Sequence, residues 1–348
     1  MILFGGQSAE HDVSRVTAVA VAKALDPEKY DVVPVGITTE GQWLLAGDAQ
    51  RMLESARHAL PEAFEVSGEV MPVPAPAQND QSVDVVIPLL HGPYGEDGTV
   101  QGLLDLAGLP YVGSGVLGSA VGMDKVAMKR MFVAAGLPIG RFLAVRDDQD
   151  LDAFATRVEQ DLKYPAFVKP SNMGSSVGVS KVRDRAQLMG ALELALSYDE
   201  TAVAEEFVPG REIEVGVLGD RPPAASVPGE VIPAADFYDY ADKYENGKAE
   251  LVIPAELAPE QVVEVQALAV RAFEACSCEA MARVDFFLRG DGGFVVNELN
   301  TIPGFTPISM YPKLWEATGV PYAELLDRLI DLAIARADRR AARRGRHR

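Results

Sequence analysis

The chain has 348 residues, 48% hydrophobic and 24% charged; these values fit two or three globular domains and exclude collagen-like, coiled-coil and disordered classes. Lys and Arg number 32 against 51 Asp and Glu, for a formal net charge of −19. Residues 334–348 hold seven Arg and one Asp, a local charge of +6, so the body before them stands at −25 (−19 − 6). Such a body repels a phosphate backbone, and no nucleic-acid partner is expected. No apolar run reaches the roughly 18 residues of a membrane-spanning helix, and MILFGGQSAEHDVS lacks the basic region and cleavage site of a secretory signal. Cys276 and Cys278 sit one residue apart, too tight for a zinc knuckle. They read as two small apolar residues near a helix end in a reduced, cytoplasmic protein.

In chain order, short apolar runs alternate with helical periodicity, which predicts α/β layers. Strands are expected over residues 1–4, 30–37 and 83–90, with a helix over 14–25, as an open, mostly parallel sheet ending near Val112. The opening strand is short for its class, so a start a few residues upstream is expected. A proline-bearing surface loop follows at residues 71–81, and the glycine-rich VGSGVLGSAVGMDK leads into a second section. There, helices are expected at 125–135, 151–161 and 187–197, with paired strands at 166–170 and 178–182. A third section begins with a strand at 202–207 and continues with strands near 212–218, 281–288 and 293–299. Its helices are expected at 259–275 and 322–335, and residues 336–348 as a charged tail that frays into solvent.

Five stretches carry chemistry. In ARVDFFL (282–288) strand alternation puts Arg283 and Asp285 on one face and apolar side chains on the other, and in NELN Glu298 and Asn300 likewise share a face. If the two strands pair, Asp285, Glu298 and Asn300 converge as hard oxygen ligands of the kind Mg²⁺ takes alongside nucleotide phosphates. A solvated edge of alternating polar residues is the bland alternative. In KPSNMGSSVG, Lys169 ends an apolar strand and a Gly/Ser loop follows whose backbone N–H groups can cradle phosphate; an ordinary hairpin fits as well. AEEFVPGRE offers Glu205 to the amine of an adenine and Glu212 to ribose hydroxyls, or is merely a charged strand end. The segment from Phe237 to Lys248, with three Tyr and two Lys, suits a lid over anionic ligands, or a packed surface loop. Finally, GGQSAEHDVS is a strand-to-helix turn in which Glu10 could also be a plain capping charge.

Taken in order and spacing, GGQSAEHDVS, LLHGPYGEDGTVQG, YVGSGVLGSAVGMDK, FVKPSNMGSSVGVSKV, FYDYADKY, ARVDFFL and NELNTIPGFTPISMYP resemble the D-alanine–D-alanine ligase family of ATP-grasp enzymes. The resemblance spans the chain from Gly5 to about Ala335. It implies an α/β ATP-grasp fold of three domains: an N-terminal Rossmann-like open parallel sheet (1–122), a central subdomain (123–208) and a C-terminal, metal-binding subdomain (209–335), followed by the basic tail. The activity implied is ATP-dependent joining of two D-alanines through a D-alanyl phosphate, for peptidoglycan synthesis. Two Mg²⁺ or Mn²⁺ ions on Asp285, Glu298 and Asn300 are implied, with K⁺ activation left open. ATP would be held by Lys125, Lys169, Ser176, Glu205, Phe207, Val208, Glu212, Phe237 and Lys243. Glu10, Ser175 and Tyr244 would form a hydrogen-bonded chain at the first D-alanine, with His91 nearby. Arg283 and the Gly304 N–H would make the oxyanion site, and Ser309 and Met310 would take the second D-alanine's carboxylate. Relatives of this kind are typically homodimers, and no membrane partner is implied.

Overall fold

Apolar side chains on both faces of β1 (Ile2–Gly5) make it a central strand. In the computed structural model, which describes residues 1–48, 50, 62–70, 83–233 and 250–344, α1 (His11–Ala24) follows it directly. β1 lies between and parallel to β2 (Pro34–Ile37) and β5 (Ile87–Pro88). β3 (Trp43–Leu45) and β4 (Glu69–Val70) extend the sheet antiparallel beyond β2. The expected parallel sheet is therefore parallel at its centre and antiparallel at one edge. The link between β2 and β3 is a hairpin, too short for the crossover that parallel pairing requires. The proline-bearing loop expected at residues 71–81 lies outside the described residues.

α2 (Thr99–Ala107), α3 (Val116–Met123) and α4 (Lys125–Ala134) lead to the second sheet. Its strands are β6 (Phe142–Arg146), β7 (Ala166–Pro170), β8 (Ser180–Val182) and β9 (Thr201–Glu206), in the order β6-β9-β7-β8 and antiparallel throughout. Helices α5 (Leu151–Asp161) and α6 (Arg185–Leu196) supply Phe154, Val158, Leu188 and Leu192 to the core on this sheet. Each begins with an aspartate, Asp150 or Asp184, accepting from a first-turn N–H at 2.9 and 2.8 Å.

The third sheet runs β13-β12-β10-β14-β15, with β11 (Ala224–Ala225) on one end of β10. Its strands are β10 (Arg211–Leu218), β12 (Gly229–Ile232), β13 (Glu250–Val252), β14 (Met281–Leu288) and β15 (Phe294–Asn300). α7 (Pro259–Ala275), opening on a proline where a missing N–H costs nothing, packs Val265, Leu268 and Phe273 onto it. Cys276 caps its C-terminal end, and both cysteines are buried free thiols, as expected.

After α8 (Met310–Ala317), the chain ends in α9 (Tyr322–Arg344). This corrects one expectation: residues 336–344 are not a frayed tail but the continuing helix. Arg336 is only 4% exposed, because the helical stripe Leu326, Leu329, Ile330, Ala333 carries on into it. That stripe packs with Phe4, Val19 and Val21 of the first sheet and α1 and with Met281, Phe305 and Tyr311 of the third unit, in one shared core.

Candidate active site

The pairing expected of the two acidic strands is present. Asp285 lies opposite Glu298, and Arg283 opposite Asn300, across β14 and β15. An extra residue, Asn297, bulges β15 just beyond Glu298. On the other side of β14, Asp285 faces Glu214 of β10. Arg283 grips Asp285 with two parallel hydrogen bonds of 2.7 Å and reaches Glu214 at 3.0 Å. Asn300 Nδ2 donates to the same Asp285 carboxylate at 3.0 Å. Burial alone would lower the Arg283 pKa, yet Asp285 and Glu214 hold it well above its ordinary value. The guanidinium is a permanent charge here. Among the described residues no three His, Cys, Asp or Glu side chains assemble a metal cage. Asp285, Glu298 and Asn300 all line the cavity, two carboxylates and an amide of the hard oxygen-donor type.

From β7 and from α4, lysines gather around one carboxylate. Lys169 Nζ lies 2.9 Å from Glu205 Oε2, and Lys129 Nζ 3.2 Å from Oε1. Burial pushes the Glu205 carboxyl up, but the two ammonium groups outweigh it and bring it down to about 2. Lys169 is lowered by burial but raised more strongly by Glu205 and Glu298. The Glu205 carboxylate lines the cavity while pairing with both lysines. Lys125, the first residue of α4, donates to the Met173 carbonyl at 2.5 Å, and burial lowers its pKa. Asp124 fixes the start of that helix, accepting from Ala127 N–H at 2.8 Å and from Ser171 Oγ at 3.0 Å. Phe207 leans on Phe167 at 6.2 Å between centroids, with Lys181 Nζ 4.3 Å over its ring.

The Gly/Ser loop turns through two consecutive left-handed residues, Ser175 (φ 49°) and Ser176 (φ 60°). For L residues this costs on the order of 1–2 kcal/mol each, and strain of this kind clusters at ligand sites. The turn carries Ser175 Oγ to Glu10, to which it donates a short hydrogen bond. Glu10 starts α1 without capping it. Ser14 holds that end of the helix in place, accepting from Gly5 N–H at 2.8 Å and donating to the Leu89 carbonyl. A Cβ at Gly174 would sit 3.1 Å from Glu10 Oε2 and 3.7 Å from Glu96 Oε1, so two carboxylates converge there. Burial, then the Glu10 charge, pushes the Glu96 carboxyl up to about 8. His91 is buried and, among the described residues, its Nε2 has no hydrogen-bond partner. Across the cavity, Ser309 Oγ accepts from Thr306 N–H at 3.2 Å and meets the Thr306 hydroxyl at 2.8 Å. That leaves the first turn of α8, starting at Met310, without a side-chain cap, an N-terminus that suits a carboxylate.

The acidic strands, Lys125, Lys169, Glu205, the Gly/Ser loop, Glu10, Glu96, His91 and the start of α8 line one cavity of about 1240 Å³. Every expected site residue among the described ones lines it: Glu10, His91, Lys125, Lys169, Ser175, Ser176, Glu205, Phe207, Val208, Glu212, Arg283, Asp285, Glu298, Asn300, Gly304, Ser309 and Met310. Phe237, Lys243 and Tyr244, with the rest of the expected lid, lie outside the described residues. The sequence reading missed Glu96, Glu214 and Lys129. Glu96 stood inside the quoted HGPYGEDG stretch, and Lys129 one helical turn after Lys125 on the same face; Glu214 shares the strand face of Glu212.

An open sheet joined to two antiparallel subdomains, with lysines on one side of the cleft and acidic strands on the other, is the ATP-grasp arrangement of a nucleotide-dependent ligase. Family models described as "D-ala D-ala ligase N-terminus" and "D-ala D-ala ligase C-terminus" match residues 1–114 and 131–331. The chain belongs to the D-alanine–D-alanine ligase family. It is 48% identical to the D-alanine–D-alanine ligase of Geobacillus kaustophilus over 96% of this chain and 94% of that protein. With the corresponding ligase of Streptomyces avermitilis it shares 46% identity over 97% and 94%. Among solved structures, the D-alanine–D-alanine ligase of Coxiella burnetii superposes with a TM-score of 0.85 at 36% identity, over 98% of this chain and 95% of that one. The VanG D-Ala:D-Ser ligase of Enterococcus faecalis follows at 0.81 and 32%, over 95% and 98%.

Proposed function

We propose that this chain joins two D-alanine molecules into D-alanyl-D-alanine with ATP as co-substrate, for peptidoglycan synthesis. The observation that carries the reading is the convergence in one cavity of the Ser175–Glu10 pair, the lysine cluster, the Arg283 strand and the α8 N-terminus. A carboxylate acylates poorly, so the first D-alanine must be activated. Its carboxylate oxygen attacks the γ-phosphorus, ADP leaves, and a D-alanyl phosphate results. The amine of the second D-alanine then attacks the acyl carbon, and inorganic phosphate leaves.

The residues divide this work by chemistry. Glu10 and Ser175 take the first ammonium, with Glu96 and His91 beside them and Tyr244 as the expected further member of their hydrogen-bonded chain. Lys125, Lys169, Lys243 and the Ser176 turn take phosphates. Phe207, Val208 and Phe237 flank the base, and Glu212 takes ribose hydroxyls. Arg283 and the Gly304 N–H stabilise the tetrahedral oxyanion; one such donor is typically worth about 10²–10³ in rate. Ser309 and the Met310 N–H receive the second carboxylate. Asp285, Glu298 and Asn300 would hold two Mg²⁺ or Mn²⁺ ions, which neutralise charge on the transferring phosphoryl group when bound. K⁺ activation is tested by salt exchange.

We read residues 1–122, 123–208 and 209–335 as the three domains and the working form as a cytoplasmic homodimer. Among the described residues no helix is long and apolar enough to cross a membrane. The D-Ala:D-Ser relative makes the second nucleophile the point to test. Mass spectrometry of products from ATP, Mg²⁺, D-alanine, D-serine and D-lactate, at pH 6 and pH 9, is expected to show the D-alanine dipeptide predominating at both. Predominant depsipeptide at pH 6, or mainly D-alanyl-D-serine, would overturn the assignment.

A further inference from the structure

α9 lines no part of the cavity, yet among the described residues Arg336 is the only arginine that is buried. Its Nη1 donates to the Gly113 carbonyl at 2.6 Å and to Glu279 Oε2 at 3.1 Å, and its Nη2 to the Tyr111 carbonyl at 2.5 Å. The guanidinium carbon lies 4.5 Å over the Tyr111 ring. Arg340 adds an ion pair to Asp105 at 2.7 Å, and Arg339 one to Asp220 at 2.7 Å.

The segments so joined lead directly to the site. Val86 bridges Tyr111 and starts the run through β5 to His91. Glu279 stands two residues before β14, the strand of Arg283 and Asp285. Ser114 Oγ accepts from Glu279 N–H at 3.1 Å, and Asp220 accepts from Ala280 N–H at 2.9 Å, which closes the knot. A planar five-donor fork satisfies two carbonyls and a carboxylate at once; a lysine point charge does not.

We propose that Arg336 is a positioning residue that sets the first sheet, with Glu10 and His91, at its working distance from the Arg283 strand. The inference rests on the proposed ligation, because it concerns the distance between the two D-alanine half-sites. None of the knot's bonds goes to Lys125, Lys169 or Glu205, so the first sheet's offset from the Arg283 strand is what it sets and the lysine side of the nucleotide site is not held by it. A misplacement of about 1 Å can cost on the order of 10²-fold in rate.

The test compares Arg336→Met, Arg336→Lys and a truncation after Ala335 with the unaltered enzyme. Phosphate release is measured against D-alanine and against ATP, with thermal melting alongside. The expected result is a loss of about tenfold or more in kcat/KM for D-alanine for Arg336→Met and the truncation, only partial rescue by Arg336→Lys, and a KM for ATP within about twofold. Should Arg336→Met fail to fold, the half-exposed partner variants Asp105→Asn and Arg340→Gln are expected to shift the D-alanine parameters in the same direction, with the KM for ATP unmoved. A D-alanine kcat/KM within about twofold of normal in the folded variants overturns the proposal. So does an equal loss in the D-alanine and ATP parameters tracking a lower melting temperature, which marks a merely structural role. If the unaltered enzyme makes no D-alanyl-D-alanine, it is the functional reading that fails, and the melting and ATP data still report on the knot.

Discussion

Replacing Lys129 by Met tests the charge arrangement at the nucleotide end of the cleft. Glu205 is held from an ordinary 4.5 to about 2 by two buried ammonium groups. At about 1.4 kcal/mol per pH unit, this is about 3 kcal/mol of favourable interaction net of desolvation. Lys129 and Lys169 each act on it through both charge and a hydrogen bond. Breaking a buried pair by removing one partner typically costs about 3–5 kcal/mol; Lys169 remains on the other oxygen, so about 2–3 kcal/mol is expected for Lys129→Met. Urea unfolding at pH 7 of Lys129→Met, Glu205→Gln and the double variant gives the coupling, expected at about 2 kcal/mol or more. The sign with pH is fixed as well. A depressed carboxyl contributes stability that is present above 4.5 and lost as pH falls toward 2, so the Glu205→Gln penalty shrinks over that window. Additivity of the two substitutions to within about 0.5 kcal/mol, the behaviour of independent sites, would refute the reasoning.

Three further outcomes are expected. Glu298→Gln removes a carboxylate from the cation set opposite Asp285 and is expected to abolish phosphate release at ordinary Mg²⁺ with an unchanged circular-dichroism melt; near-normal turnover would sink the metal assignment. Glu96, whose carboxyl burial and then Glu10 push up to about 8, is expected to give up its proton when the first D-alanine's ammonium arrives, so calorimetry near pH 7 should show buffer-dependent heat that Glu96→Gln removes. Because its pKa is raised on folding, the buried Glu96 costs stability increasingly from pH 4.5 to about 8, and the stability gain of Glu96→Gln grows over the same range. Burial pushes the Cys276 thiol up to about 12 and Cys278 well above its ordinary value, so iodoacetamide should label neither in the native enzyme at pH 8; rapid labelling would place these thiols at the surface.

What could be read from the sequence was whatever repeats with a simple period or carries a distinctive spacing. β14 alternates buried and half-buried residues along most of its length, so the pattern alone puts Arg283 and Asp285 on one face, and α7 shows its limits through Pro259 and a clear apolar stripe. Three short helices, α2, α3 and α8, were hidden by glycine, proline or brevity, since a turn or two offers too few repeats to register a 3.6-residue period. The continuation of α9 was hidden for another reason. Arg336 occupies the inward position one turn after Ala333, but an arginine reads as solvated until the buried carbonyls of Tyr111 and Gly113, more than two hundred residues earlier, are known to face it. The Lys129 partner of Glu205 was hidden too: it comes from a different element, and no local pattern links the two.

The charges around the cavity explain why such a site needs its cations. Acidic side chains outnumber basic ones on its walls. Several of the acids are already matched: Glu205 by two lysines, Glu230 by Arg211 at 2.6 Å, and Asp285 and Glu214 by Arg283. Among the described residues, Glu298 also lies in the field of Lys125 and Lys169, and Glu212 in that of Lys169, so the lysines' charge is already drawn on before a triphosphate arrives. A nucleotide bearing about four negative charges is therefore repelled from a wall of oxygen donors unless divalent cations arrive with it and turn those donors into ligands. Binding of nucleotide and cation must then be linked, each raising the affinity for the other by the same factor. The acidic strands and the lysine cluster are two halves of one electrostatic arrangement, and neither half is complete on its own sheet.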